Sequence, residues 1–213
     1  MTAIFAYAKD DISFIAADSR RGILPTTEVL KVHQWSEHIL IAQTGDGPAM
    51  TKLIHKMLEI RDNCADQTTD LPTLTSIFKI KTLGKNICGK FVVAVASHGQ
   101  DKAQIQTFDC CTRQTTTVGN LLDIYADGTS QPIFQNIADY EFQKMLNSGH
   151  PIPLDIWAVE CIKKAKTQAP DYVDFPATLA ITRPIAPSMR RCIIQKVPSA
   201  GVFTQSSLDF LAS

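Results

Sequence analysis

The sequence has no surplus of charge: 21 Lys and Arg balance 21 Asp and Glu, for a formal net charge of zero. A nucleic-acid surface usually shows itself as a basic excess, so this balance argues against such a partner. There is no apolar run long enough to span a bilayer, which argues against a membrane protein. The amino-terminal stretch MTAIFAYAKDD has no basic n-region and reaches charge by Lys9, so it does not read as a signal peptide. No C-x-x-C occurs among the six cysteines, Cys64, Cys88, Cys110, Cys111, Cys161 and Cys192. Cys110 and Cys111 make a poor staple, because neighbours on a strand point to opposite faces. Free thiols in a reducing compartment are the expected state, which places the protein in the cytoplasm.

Other motifs are missing as well. Gly45-Asp46-Gly47 is not followed by Gly-Lys-Ser/Thr, so it is no phosphate loop and reads as the cap of a helix. Ser19 and Ser97 lack a G-x-S-x-G context. His33 and His38 flank a turn without metal-ligand spacing or a third partner, and are expected to be solvated. No metal and no cofactor is expected. There is no internal repeat, low-complexity tract or linker, and 213 residues at 45% hydrophobic suit one domain covering the whole chain, 1–213.

The hydrophobic pattern divides the chain into blocks. Two hairpins are expected in the first 44 residues: 2–9 with 12–17 around Lys9-Asp10-Asp11, and 29–35 with 38–44 around Ser36-Glu37. Helices are expected at 47–62 and 71–83, where apolar residues recur at helical spacing. A dense strand, 91–97, and short strands at 105–108, 115–118 and 122–125 follow. Helices return at 132–146 and 154–167, and strands at 177–182 and 192–197 are separated by Pro184 and Pro187. Strands arriving in hairpin blocks, not singly between helices, predict an α+β fold of antiparallel sheets covered by helix pairs.

Thr2 heads the first strand, directly behind Met1. Removal of the methionine leaves a threonine whose free α-amine, with a reference pKa of about 8, can accept the proton of its own hydroxyl. A turn at Lys9-Asp10 or at Asp10-Asp11 sets position 2 opposite 17 or 19, so Asp18 returns to within one residue of Thr2. A two-residue turn at Ser36-Glu37 pairs 35 with 38 and Lys31 with Ala42. One hairpin thus carries a carboxylate to the threonine, and the other sets an ammonium beside a backbone amide. A lysine cation there favours an alkoxide-like hydroxyl and a neutral amine, and an aspartate keeps the lysine charged and in place.

These residues carry a resemblance. TAIFAYAKDDISFIAADSRR, with Ala16-Ala17-Asp18-Ser19-Arg20, resembles the opening of proteasome β-type subunits and of the bacterial peptidase HslV. Lys31-Val32 and ILIAQTGDGPA from residue 39 resemble the family's lysine segment and first helix start. The similarity implies a four-layer α-β-β-α Ntn-hydrolase sandwich. It implies Thr2, Asp18 and Lys31 as the catalytic set, with the N–H of Ala42 as oxyanion donor. It further implies Ser19, Thr129 and Asp171 in support, Gly22 pairing with extended peptide, and Leu40 near a pocket for apolar side chains. Departures point to a divergent bacterial homologue of the kind grouped with Anbu and the betaproteobacterial proteasome homologue. The segment from Asp18 to Lys31 is shorter than in typical relatives, Gly-Ser-Gly becomes Gly128-Thr129-Ser130, and Asp174 stands where a serine is usual.

The resemblance implies a threonine endopeptidase acting on polypeptides through an acyl-enzyme. It implies a homo-oligomeric ring, double-layered, that an ATP-dependent unfoldase can feed. Two rivals share the same residues: an Ntn amidase for a small amide, and a non-catalytic ring or scaffold subunit.

Overall fold

A computed structural model describes residues 2–19, 30–63, 70–118, 122–128, 130–148, 153–186 and 189–198. Gly22 and Thr129 lie outside the described residues. Among the described residues, two antiparallel five-stranded sheets and four helices make up an α+β fold. In chain order the elements are β1 (Ala3–Lys9), β2 (Ile12–Asp18), β3 (Val32–Gln34), β4 (Ile39–Gly45), α1 (Gly47–Asn63), α2 (Leu71–Thr82), β5 (Gly89–Val95), β6 (Gln104–Asp109), β7 (Thr115–Val118), β8 (Ile124–Gly128), α3 (Gln131–Leu146), α4 (Leu154–Gln168), β9 (Ala177–Ala186) and β10 (Met189–Val197). One sheet runs β10-β9-β2-β1-β8 and the other β3-β4-β5-β6-β7.

Alternation along the strands sorts side chains into three cores. Phe5, Phe14 and Ala16 pack with Phe134, Phe142 and Trp157 of α3 and α4. Their neighbours Ile4, Ala6, Ile15 and Ala17 pack with Leu40, Ala42, Val92 and Ala94, so the two sheets meet face to face. Ile41, Phe91 and Val93 face the other way, onto Met50, Ile54, Leu74 and Phe78 of α1 and α2. Thr2 continues the Ile4, Ala6, Ala8 series that faces the space between the sheets. Helix starts follow local chemistry: the Asp70 carboxylate accepts from the Thr73 N–H at 2.9 Å, with a proline in the first turn of α2.

The helices and hairpin blocks fall where the pattern puts them, with three corrections. The turn closed by the Trp35 N–H, which donates to the Ile39 carbonyl at 2.9 Å, has three residues, Ser36 to His38, and not two. The register therefore shifts by one, and Val32 lies opposite Ala42. Strand β9 runs through Pro184 instead of ending before it. The strand tolerates the missing N–H because β2 pairs only as far as Thr182, and β10 carries a register irregularity at Met189 and Arg190.

The histidines are the third correction, for both are buried. His38 Nε2 contacts Asp101 Oδ2 at 2.9 Å, and its Nδ1 contacts Ser36 Oγ at 3.2 Å. His33 is 7% exposed, and burial, reinforced by the His55 charge, pulls its pKa down to about 4. Its ordinary value is 6.5, so between pH 6.5 and 4 the unfolded chain binds a proton that the folded chain does not. Stability is expected to fall as pH drops through that window, by about 2 to 3 kcal/mol from this group. Urea unfolding of the wild type and of His33→Gln at pH 7 and pH 4.5 measures it: the variant is expected to lose less over the same interval.

Candidate active site

The first hairpin turns at Asp10-Asp11, with Lys9 opposite Ile12 and Ile4 opposite Ala17. Continuing that register sets Ala3 opposite Asp18 and Thr2 opposite Ser19. Asp18, with no exposed surface, accepts from the Ala3 N–H at 2.7 Å through Oδ1. Its Oδ2 accepts from Lys31 Nζ at 3.0 Å. One buried carboxylate therefore holds both the backbone next to Thr2 and the lysine ammonium. Thr2 is itself 5% exposed and Lys31 6%. Burial draws the Lys31 pKa down, against the pull of Asp18, which favours the charged form. A lysine held this way is a cation in a poorly solvated place, where its field on a nearby hydroxyl or amine is strong.

Lys31 lies just before β3, and its carbonyl accepts from the Gln43 N–H at 3.1 Å. That bond excludes Ala42 as oxyanion donor. Antiparallel hydrogen bonds alternate, so if Gln43 and Ile39 face β3, Ala42 must face β5. The bonds flanking it agree: the Asp46 N–H donates to the Cys88 carbonyl and the Ala96 N–H to the His38 carbonyl, both in the register that pairs Ala42 with Val92. The one-residue error in loop length is what gave the opposite expectation.

Other expected residues separate. Ser19 is buried beside the set, its N–H donating to the Pro176 carbonyl at 2.9 Å and its hydroxyl 3.3 Å from Thr178 Oγ1. Asp171 is exposed in the turn after α4, so it is not a buried support. Leu40 has no accessible surface and belongs to the intersheet core, so it does not wall an open pocket.

Sequence reasoning gave Gly128 no role of its own. It lies opposite Ala3 on β8 with φ +139°, and a Cβ built on it would stand 1.9 Å from the Thr2 carbonyl oxygen. Both its conformation and the space require glycine. Gly128→Ala is expected to displace Thr2 and to cost about 1 to 3 kcal/mol of stability; thermal unfolding measures it. Beside it, Asp127 is 2% exposed, accepts from the Tyr125 hydroxyl at 3.2 Å and lies 3.8 Å from Lys90 Nζ. Gly128 also lines a cavity of about 490 Å³ with Thr44, Gly45, Gly89 and Lys90. Among the described residues no cluster able to hold a metal ion occurs, and no helix is long and apolar enough to cross a membrane.

No protein-family model matches the sequence, and no curated protein matches it. Among solved structures the chain is similar to an Anbu (Gly-1) mutant from Hyphomicrobium sp. strain MC1. The TM-score is 0.69 at 10% sequence identity, over 93% of this chain and 88% of that one. With so few identities the likeness is one of backbone architecture. The chain has the fold of that Anbu structure.

Proposed function

We propose that the protein is an N-terminal threonine peptidase with a four-layer Ntn-hydrolase sandwich, working as a subunit of a homo-oligomeric ring. The observation that carries this reading is the sharing of the buried Asp18 carboxylate between Lys31 and the amide next to Thr2. The Anbu-like fold is compatible with a ring; a double ring fed by an ATP-dependent unfoldase is the assembly we infer from the family likeness.

In this reading Met1 is removed and the α-amine of Thr2 takes the proton from its own hydroxyl, directly or through water. The oxygen attacks a peptide carbonyl, the charged amine protonates the leaving amine, and water then hydrolyses the ester with the same amine as base. Lys31 lowers the energy of the developing negative charge and disfavours protonation of the amine beforehand. Asp18 keeps Lys31 charged and fixes the backbone at Ala3. The oxyanion donor is an N–H other than that of Ala42; the amide of Gly45 is the next beyond Gln43 on the edge of β4 that faces away from β5.

The purified chain, offered a panel of chromogenic peptides beside a panel of small amides, tests the reading. Turnover of extended peptides in preference to small amides is expected. Turnover of small amides alone would replace the peptidase by an amidase, and turnover of neither would favour a scaffold subunit.

A further inference from the structure

The cavity beside Gly128 has two thiols in its wall, from Cys88 before β5 and Cys111 after β6. The β5–β6 ladder puts Lys90 opposite Asp109, and the Cys110 N–H donates to the Gly89 carbonyl at 2.9 Å. The next pair outward is Cys88 and Cys111. Facing residues of antiparallel strands have Cα atoms about 4.5 or 5.5 Å apart, and either separation lies within the roughly 4.4–6.8 Å that a disulfide spans. Cys88 and Cys111 are thus facing neighbours in the ladder, and both residues are exposed. Cys110, the neighbour of Cys111, faces the other way and is buried with its Sγ 3.8 Å from Met50 Sδ; Cys161 is buried too. Among the described cysteines, Cys88 and Cys111 therefore combine access with a partner.

We propose that Cys88 and Cys111 form a reversible dithiol–disulfide site on the wall of the cavity that adjoins Thr2, with a hydroperoxide as oxidant and a small thiol as reductant. The Cys111 thiol is pushed above its ordinary range, first by Cys88 and then by the Asp109 charge. Cys111 serves as the resolving thiol and Cys88 as the attacking sulfur. Its thiolate attacks the outer peroxide oxygen, the O–O bond breaks, and a sulfenic acid and an alcohol (water, from hydrogen peroxide) result. Cys111 then attacks that sulfur; the S–S bond forms, the S–O bond breaks, and water leaves with the Cys111 proton. Two thiols have lost two electrons and the peroxide has gained them. Two molecules of a small thiol reverse the step through a mixed disulfide.

The bond has a consequence for the cavity. The Cys88 carbonyl already accepts from the Asp46 N–H at 2.8 Å, at the entry to α1. A disulfide would tie this point to the turn after β6 and narrow the space whose other wall, Gly128, abuts Thr2. An effect on peptide turnover rests on the proposed peptidase function; the thiol chemistry does not.

The test uses the full chain, reduced and then treated with hydrogen peroxide. Expected are the loss of two free thiols, a cross-linked Cys88–Cys111 peptide in the digest, and full reversal by dithiothreitol. In Cys111→Ser, dimedone is expected to trap a sulfenic acid on Cys88. Thr2→Ala is expected to form the same cross-link, which separates this site from the proposed activity. Wild-type peptide turnover is expected to drop on oxidation and return on reduction, with no such response in Cys88→Ser. Oxidation that yields no Cys88–Cys111 cross-link, or scatters over the other cysteines, overturns the proposal. A clean cross-link in a protein without peptide turnover overturns the peptidase reading and leaves the thiol site standing.

Discussion

Thr2→Ala is expected to reduce peptide turnover by at least about a thousandfold, a loss of about 4 kcal/mol of transition-state stabilisation. The variant keeps a free α-amine but has no oxygen for it to deprotonate, so no acyl-enzyme forms. The fold should hardly notice. Thr2 is buried but precedes the paired residues of β1, so losing its hydroxyl and methyl is expected to cost about 1 kcal/mol, well below the loss in turnover. Thr2→Ser keeps an oxygen and an amine and should retain turnover well above the alanine level. Steady-state kinetics beside thermal unfolding of the three proteins separates chemistry from stability. Equal turnover by wild type and Thr2→Ala would place the reaction elsewhere in the molecule, or in a contaminant.

Lys31→Met is expected to produce the largest change in stability, a loss of about 3–5 kcal/mol, because it removes the Lys31 cation from the buried Asp18 carboxylate. The methionine keeps most of the volume, so the effect reports charge and not packing. Asp18 has no exposed surface and cannot turn to solvent without breaking its bond to the Ala3 N–H. Adding Asp18→Asn should restore much of the stability, since the amide oxygen can still accept from Ala3 and no buried charge remains. It should not restore turnover. Urea unfolding of both single variants and the double variant gives the coupling energy of the pair. A double variant no more stable than Lys31→Met would mean that the contact does not carry the energy assigned to it.

The sequence made the scaffold legible because the scaffold is periodic. The apolar alternation of β1 and β2, the helical spacing of Met50, Leu53, Ile54 and Met57, and the dense run of β5 all specify type and face locally. The first hairpin was readable to within one turn position, because Lys9-Asp10-Asp11 allowed only two registers and both returned Asp18 to Thr2. The second was not. A loop of two residues or of three differs by one peptide unit, and that unit decides which amides face β3 and which face β5. Ala42 lost its expected role for that reason alone. Leu40 and Asp171 came from position in a motif, and position does not specify exposure. The tight approach of Gly128 to Thr2 and the facing thiols of Cys88 and Cys111 depend on long-range strand pairing, which no local pattern encodes. The burial of His33 and His38 was missed because residue type predicts solvation, whereas tertiary contacts from Asp101 and from α1 closed over them.

The most direct test of the account is the intact mass of the purified protein before and after reaction with a peptide epoxyketone, whose two electrophilic carbons need a hydroxyl and an amine on one residue. The expected result is a starting mass lacking methionine and a single adduct that maps to Thr2 and is absent from Thr2→Ala. A protein that retains Met1, or that has lost it and still takes up no adduct at Thr2, would contradict the claim that this residue is both nucleophile and base.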